Sequence, residues 1–349
     1  MRPSGQVRTP LTSPPCPARV LPRHGLPGLA LPGVAAPNLL DPRGPAAADI
    51  AVLWWVLLAV GGAVFVGVAV LLGVASVRRR TQDVAKDALT GEGFVGGGNV
   101  LVVVGGIAFP AAVVVGLMVA TVVTAERVAT VGNPAEPFVV EVTGHKFWWD
   151  VRYPDHGIRI ANELHLPVGQ PVEVVVTSAD VIHSIWVPQL GGKIDMNPGH
   201  VNILRLVVDE PGEYRGLCTE FCGIQHARMH FVAVAHEQDD FARWLADHAD
   251  PPDEPDDAGA LAGRDVFIGA GCGECHTVTG VSPRNDSYPD LTFLAERRTI
   301  AAGILSNNRG TLGGWVLDPQ GLKPGNRMPP ANLTGQELQD LLDYLETLR

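Results

Sequence analysis

The sequence predicts a multidomain membrane protein with a two-helix transmembrane hairpin, an all-β sandwich and a small all-α C-terminal domain. Two apolar runs, residues 50–77 and 100–124, contain no charged residue. From residue 138 the pattern changes to short alternating apolar runs separated by proline and glycine, which is typical of a β-sandwich or barrel. An acidic, proline-rich segment then separates a last domain, and a length of 349 residues fits two or three domains.

The N-terminal segment, residues 1–48, has many prolines and no periodic pattern, so we expect it to be disordered or processed. Prolines also interrupt the apolar residues 26–36, which disfavours a helical signal-peptide core. Four of the five cysteines stand in two pairs with ligand spacing, and only Cys16 is left over. A disulfide framework is therefore not expected. The net charge of −11 argues against a nucleic-acid surface.

The hairpin is expected over residues 49–125. Each apolar run exceeds the ~20 residues that a helix needs to cross a bilayer. Two buried core helices are disfavoured, because neither run has a polar face. Basic residues in the loop between the runs place that loop in the cytoplasm and both ends of the hairpin outside. They are Arg78, Arg79, Arg80 and Lys86.

The β-domain is expected over residues 134–248 and the linker over residues 249–257. Prolines make such a linker semi-extended, long enough for the last domain, residues 258–349, to swing toward the sandwich. Six strand-like runs are predicted in the β-domain. They are residues 138–142, 172–177, 182–187, 201–208, 214–217 and 231–235.

Residues 218–229 hold a dense set of soft metal ligands. Two thiols stand four residues apart, an imidazole follows four residues later and a thioether three residues after that. A further histidine lies upstream in a strand-like run. Thiolate and thioether select copper or iron–sulfur clusters, whereas tetrahedral zinc rarely uses methionine. A zinc site or a pair of core cysteines is the alternative.

This pattern resembles the binuclear copper site of cytochrome c oxidase subunit II, H…C-x-E-x-C-x-x-x-H-x-x-M. The resemblance implies a cupredoxin-like Greek-key sandwich in which both thiolates bridge two coppers and each histidine binds one. It also implies that the methionine and the glutamate backbone carbonyl complete the coordination, and that the glutamate side chain helps to bind Mg²⁺. The matching residues are His183, Cys218, Glu220, Cys222, His226 and Met229.

Two further features of the sequence are compared with this family. Phe147, Trp148 and Trp149 resemble its aromatic motif, in which the first residue is usually tryptophan and receives electrons from soluble cytochrome c. A packed aromatic cluster beneath the metal site is the alternative. Where the family often has a glutamate near the start of the second span, this chain has Val103, so a proton-uptake role is not carried over.

The last domain contains the motif Cys272-Gly-Glu-Cys275-His276. A bare CxxC indicates a redox pair or half a zinc site, but a following histidine resembles the attachment motif of c-type cytochromes. There both thiols bind haem covalently and the histidine is an axial iron ligand. After His276 the chain has no other histidine and a single methionine, Met328, which is the expected second axial ligand. An open iron, or one ligated by Lys323, is the alternative.

The resemblance extends to the helices of the last domain and implies an all-α class I cytochrome c. A capping box at Thr334–Glu337 opens the final helix, and the first helix is expected over residues 258–269. The order of domains resembles subunit II of a caa-type cytochrome c oxidase. This implies a bacterial inner-membrane protein, with copper and haem domains outside, that passes electrons from haem c through copper to the oxygen-reducing subunit I.

The resemblance also implies partners: oxidase subunits I and III, membrane lipid, and a donor such as a quinol–cytochrome c reductase or another cytochrome c. Two other functions stay open. A similar subunit could serve a nitric oxide reductase, because substrate choice lies in the partner. A free-standing membrane electron carrier is the second.

Overall fold

The computed structural model describes residues 37–81, 100, 103–131 and 137–349. Helix α1 spans Pro45–Thr81, and helix α2 spans Phe109–Thr130 after a π-helical turn at Val104–Ala108. Both helices are long and apolar enough to cross a membrane, with mean hydropathies of 2.6 for Pro45–Val77 and 2.3 for Val104–Thr130. Most of the predicted cytoplasmic loop, including Lys86, lies outside the described residues, as do residues 1–36.

The first helix begins at Pro45, four residues before the predicted boundary of the hairpin. Proline is favoured in the first helical turn, since its missing amide hydrogen is not needed there. The chain just before it is anchored on the β-domain: the amide of Arg43 donates to the carbonyl of Gln189, and the amide of Asp209 donates to the carbonyl of Arg43. The segment leading into α1 therefore packs against the β-domain.

The β-domain is a sandwich of two five-stranded sheets, which confirms the predicted fold class. One sheet has the order β3-β2-β1-β5-β8 and the other β4-β10-β9-β6-β7. Strands β1 and β5 pair in parallel, as do β4 and β10, while all other neighbours are antiparallel. The strands are β1 Phe138–His145, β2 Trp148–Tyr153, β3 Ile158–Ala161, β4 Glu163–Pro167, β5 Val172–Ser178, β6 His183–Trp186, β7 Ile194–Met196, β8 Asn202–Leu206, β9 Gly212–Cys218 and β10 His230–His236.

All six predicted strand runs are strands, but β2, β3, β4 and β7 were not predicted. Strands β2 to β4 carry polar residues that are nevertheless buried, among them Asp150 (1% exposed) and Glu163 (3% exposed). Glu163 is paired with Arg298 of the C-terminal domain, and Asp150 is paired with Arg159, which itself donates to carbonyls of that domain. A sequence pattern cannot distinguish such residues from a solvated loop, because it does not show that a second domain covers them.

The C-terminal domain is all-α apart from a short hairpin, β11 Thr299–Ile300 with β12 Leu305–Ser306. Its first and last helices cross closely: a Cβ on Gly263 would lie 1.8 Å from the backbone oxygen of Asp340. The predicted capping box is present, since Thr334 and Glu337 exchange hydrogen bonds. Helix α3, Gln238–Asp247, lies before the linker, at the end of the β-domain. The helices of the C-terminal domain are α4 Ala258–Gly269, α5 Cys272–Cys275, α6 Arg309–Leu317, α7 Pro319–Leu322 and α8 Gly335–Leu345.

The C-terminal domain packs directly on the sandwich. Arg159 donates to the carbonyls of Asn285 and Tyr288, both at 3.1 Å. The amide of Arg298 donates to the buried Glu163 carboxylate at 2.6 Å. The expectation that this domain swings on its linker therefore needs correction: an interface with buried, paired charges holds it in place.

Candidate metal centres

The predicted copper ligands meet at one end of the sandwich. His183 opens β6, Cys218 ends β9, and the loop of residues 219–229 carries the other donors before β10 begins. Backbone hydrogen bonds tie the loop to both strands: the amide of Cys218 donates to the carbonyl of Met229, and the amide of Thr219 donates to that of Ser184. The strands therefore hold both ends of the loop in place.

The donor atoms lie within contact distance of one another. The Sγ of Cys218 is 3.8 Å from Nδ1 of His183, 3.9 Å from Sγ of Cys222 and 3.3 Å from the carbonyl oxygen of Glu220. The Sγ of Cys222 is 3.8 Å from Nδ1 of His226 and 3.8 Å from the sulfur of Met229. The structure thus brings together every predicted donor. Two thiols, two imidazoles and a thioether form a set that suits copper.

Burial supports a metal centre shielded from water. His183 and Met229 are fully buried, and Cys218 and Cys222 are nearly so. Burying these thiol, imidazole and thioether groups in an apolar core would cost free energy unless a bound metal ion used their lone pairs. His226 is half-buried and forms the outer side of the site.

Of the two thiols, Cys218 loses its proton easily and Cys222 keeps its own. A hydrogen bond from the Cys222 thiol, helped by His183 and opposed by burial, lowers the pKa of Cys218 well below its usual range. The same contact, together with burial, raises the pKa of Cys222. One thiolate is therefore ready for a metal ion, and a bound cation would displace the second proton.

Asp180 is a site residue that sequence reasoning missed. Its carboxylate lies 2.9 Å from Nε2 of His183, the ring nitrogen that faces away from Cys218. Burial raises the pKa of Asp180, but hydrogen bonds from His183 and from the backbone amides of Lys146 and Val181 outweigh it and lower the pKa to about 2. A carboxylate in this place fixes the orientation of a ligating imidazole. A carboxylate three residues before a histidine is too common to signal this role.

A cavity of about 420 Å³ lies in the C-terminal domain, beside the sandwich. Ligand sites of about 300–1,000 Å³ with apolar walls are typical of cofactor binding. Its wall contains all four predicted haem contacts: Cys272, Cys275, His276 and Met328. Four further wall residues come from the sandwich: Lys146, Phe147, Trp148 and Asn162.

His276 is oriented for metal binding. Its Nδ1 lies 2.8 Å from the carbonyl oxygen of Pro289. Because a carbonyl can only accept, Nδ1 carries the hydrogen and Nε2 keeps a free lone pair. Burial also lowers the pKa of His276, which favours the neutral form that ligates a metal.

The loop around Met328 is held by two side chains. The Met328 amide donates to the side chain of Asn326 at 2.7 Å, and Gln320 donates to the Met328 carbonyl at 2.9 Å. The thioether packs on the core of the C-terminal domain. The alternative iron ligand, Lys323, has its ammonium group fully engaged with three backbone carbonyls.

The three residues of the predicted aromatic motif lie in different places. Phe147 and Trp148 line the cavity. The Phe147 ring also lies against Gly223 in the loop of residues 219–229, the copper loop: a Cβ on Gly223 would lie 3.1 Å from this ring. Trp149 is fully buried and packs edge-on against Phe231, with His183 at 6.1 Å. Phe147 therefore lies between the cavity and the copper loop, while Trp149 is a core residue.

The fold and its two sites define a class of protein: a membrane-helix hairpin carrying a cupredoxin-like sandwich and a small cytochrome c fold. Residues 156–236 match the family model described as cytochrome C oxidase subunit II, periplasmic domain, and residues 260–349 match cytochrome c. The chain thus joins a segment that matches the subunit II periplasmic domain to one that matches cytochrome c, which confirms the resemblance predicted from the motifs. The first family implies copper and the second implies haem.

Two sequence relatives and one solved structure are similar to parts of the chain. The chain is 40% identical over 211 residues to "Cytochrome c oxidase subunit 2" of Alkalihalophilus pseudofirmus, covering 60% of this chain and 61% of that protein. It is 34% identical over 212 residues to "Quinol oxidase subunit 2" of Bacillus spizizenii, covering 59% and 65%. The crystal structure of the periplasmic domain of subunit II of cytochrome oxidase of Bradyrhizobium japonicum is 30% identical, with a TM-score of 0.32, covering 33% of this chain and 95% of that one. The chain spans less than two thirds of the length of both sequence relatives.

Proposed function

We propose that this chain is the electron-input subunit of a haem–copper cytochrome c oxidase. An electron would enter at haem c, pass to a binuclear copper centre and continue to the oxygen-reducing subunit I. Two complete donor sets on one chain support this proposal: the sulfur and imidazole cluster, and the cavity walled by the CxxCH motif and Met328. The oxygen chemistry itself would belong to the partner.

Each cofactor has assigned residues in this proposal. Haem c would be covalently attached through Cys272 and Cys275, with His276 and Met328 as axial ligands. The Glu220 carbonyl, 3.3 Å from the Cys218 sulfur, would contact copper, and its side chain would contribute to a Mg²⁺ site at the boundary with subunit I. The copper ligands would be His183, Cys218, Glu220, Cys222, His226 and Met229.

The proposal includes partners and location. The two membrane-length helices would cross the bacterial inner membrane with the metal domains outside, and they would contact subunit I, subunit III and lipid. The donor would be a quinol–cytochrome c reductase or another cytochrome c. One relative is named a quinol oxidase subunit, but here a cytochrome c domain lies against the sandwich, which favours input through haem.

Purification of the full chain from its own membrane in mild detergent tests this function. We expect a large haem-bearing subunit to co-purify, and the complex to consume oxygen with reduced cytochrome c as donor. Nitric oxide consumption without oxygen uptake would assign the chain to a nitric oxide reductase. A chain that elutes alone with copper and haem would be a free-standing electron carrier.

A further inference from the structure

Lys323, the residue after α7, has a buried ammonium group that joins the two domains. Its side chain is among the largest fully buried ones, and the residue is 2% exposed. The Nζ donates to the sandwich carbonyls of Phe147 at 3.2 Å and Arg228 at 3.0 Å. Its third hydrogen bond, at 2.9 Å, goes to the carbonyl of Ala301 in the C-terminal domain. All three ammonium protons are therefore used, two of them across the interface.

A buried ammonium group is stable only where hydrogen bonds replace its lost hydration. Burial, reinforced by the nearby Arg228, lowers the pKa of Lys323 to about 7. The three converging carbonyls form a cage that matches the shape of an ammonium group. Neither an apolar side chain nor the planar guanidinium of arginine would satisfy it in the same way.

The residues next to Lys323 touch the copper loop, residues 219–229, at three more points. Arg228 donates to the carbonyl of Leu322 at 3.2 Å, and Gln225 donates to that of Pro324 at 2.5 Å. The side chain of Ile224 packs against the backbone of residue 325, where a Cβ would lie 2.8 Å from it. The segment of residues 322–325 is thus laid along the copper loop.

The same segment leads directly into the haem cavity. Asn326, Arg327 and Met328 all line that cavity. On its other side, Lys323 holds the carbonyl of Phe147, whose ring lies against the copper loop. Lys323 is therefore the point at which the haem loop, residues 322–328, and the copper loop are fastened together.

We propose that Lys323 is a positioning residue that clamps the haem loop onto the copper loop, so that an electron crosses between the two centres in one fixed arrangement of the domains. This inference rests on the proposed function. The step transfers a single electron: the reduced haem loses it, the oxidised copper centre gains it, and no bond or proton is exchanged. Without the clamp, transfer would await realignment of the haem loop with the copper loop.

The test compares Lys323→Met with Lys193→Met, a matched change at an exposed lysine of the sandwich. Rapid-reaction spectroscopy measures haem-to-copper electron transfer in the full chain at increasing solvent viscosity. In the unmodified chain and in Lys193→Met we expect a rate independent of viscosity. In Lys323→Met we expect a rate about tenfold lower, because a hydrogen-bonded charge has been lost at the interface. The rate should fall further as viscosity slows the motion of the two loops.

Hydrogen–deuterium exchange gives a readout that does not depend on electron transfer. In Lys323→Met, amides in both the haem loop and the copper loop should exchange faster than in Lys193→Met. Equal rates, no viscosity dependence and unchanged exchange in a fully loaded Lys323→Met chain would overturn the clamp. A wild-type chain that fails to load copper or haem would instead overturn the proposed function.

A second variant covers the case in which Lys323→Met does not retain haem. Arg228→Ala keeps all three hydrogen bonds of Lys323 and removes the donor to the Leu322 carbonyl, together with a positive charge near Lys323. It should raise exchange in the haem loop and introduce a weaker viscosity dependence. A loaded Arg228→Ala chain without either change would contradict the proposal.

Discussion

The sulfur and imidazole cluster is built entirely by the sandwich, whereas the haem cavity takes its walls from two domains. In the cluster, each neighbouring pair of donors already lies within 4 Å, held by β6, β9 and a loop tied at both ends. In the cavity, Phe147 and Trp148 of the sandwich face His276 and Met328 of the C-terminal domain. The copper-type site is thus preorganised by one fold, and the haem site is completed by docking.

This difference predicts that the two sites respond differently to mutation. Changes inside the cluster should abolish its metal and leave the haem domain intact, because no donor comes from outside the sandwich. Changes at the interface should act on the haem cavity and on communication between the sites, while the cluster keeps its metal. The following predictions test this separation.

The largest effect is expected from Cys222→Ser. The variant removes a thiolate that contacts Cys218, His226 and Met229, so the paired copper state with one shared unpaired electron should be lost. Copper content and electron paramagnetic resonance measure the loss, and haem absorbance is the control. A paired-copper spectrum in this variant would contradict the assignment of the ligands.

Met328→His should leave haem attached through Cys272 and Cys275 but lower its reduction potential. Imidazole stabilises ferric haem better than a thioether does. The shift should be roughly 0.1 V or more, within the ~0.8 V that axial ligands can cover. Redox titration of both centres measures it, with the copper potential as internal control. An unchanged haem potential would show that Met328 does not bind the iron.

Asp150→Asn should destabilise the interface. Asp150 is 1% exposed and accepts from Arg159 at 2.7 Å and from Arg152 at 2.8 Å. Removing its charge leaves the buried Arg159 without its closest counter-ion, at a cost in the free energy of unfolding of about 3–5 kcal/mol. Denaturant unfolding measures this cost. The comparison is Arg284→Ala, which breaks the exposed ion pair of Arg284 with Asp286 and should cost under ~1 kcal/mol. Similar losses in both variants would contradict the role of Asp150.

The smallest effect is expected from the histidines near the interface. Burial, followed by the neighbouring His165 and Arg298, lowers the pKa of His236 to about 4. The folded protein thus disfavours protonation, and its stability should fall as the pH drops from about 6.5, the unfolded pKa, toward 4. His236→Gln should flatten this slope in thermal unfolding relative to the unmodified chain. An unaltered slope in His236→Gln would contradict the prediction.

The sequence was most informative where chemistry depends on residue type and spacing. The cluster and the CxxCH motif could be predicted because sulfur and imidazole donors are rare and their spacing is specific. The capping box at Thr334 followed from local backbone preferences, and the helix bounds at Ala258–Gly269 followed from the resemblance to small cytochromes c.

Contacts between the domains could not be predicted in this way. Strands β2 to β4 were missed because Asp150, Arg159 and Glu163 have the polarity of exposed residues. In the structure Arg159 and Glu163 bind groups of the C-terminal domain, and Arg159 in turn pairs with the buried Asp150. Lys323 was considered only as an alternative iron ligand, because nothing local to it indicates three carbonyls that lie far apart in the chain. Such contacts depend on tertiary structure alone.

The wall that the sandwich adds to the haem cavity has a consequence for how the protein is made. Once the domains have docked, Lys146, Phe147 and Trp148 close one side of the cavity. A bulky macrocycle, and any enzyme that joins it to Cys272 and Cys275, would need access before that closure. We therefore expect maturation to follow an order in which haem is attached first and the domains dock afterwards. In this order the linker would serve biogenesis, holding the C-terminal domain apart until its cofactor is in place.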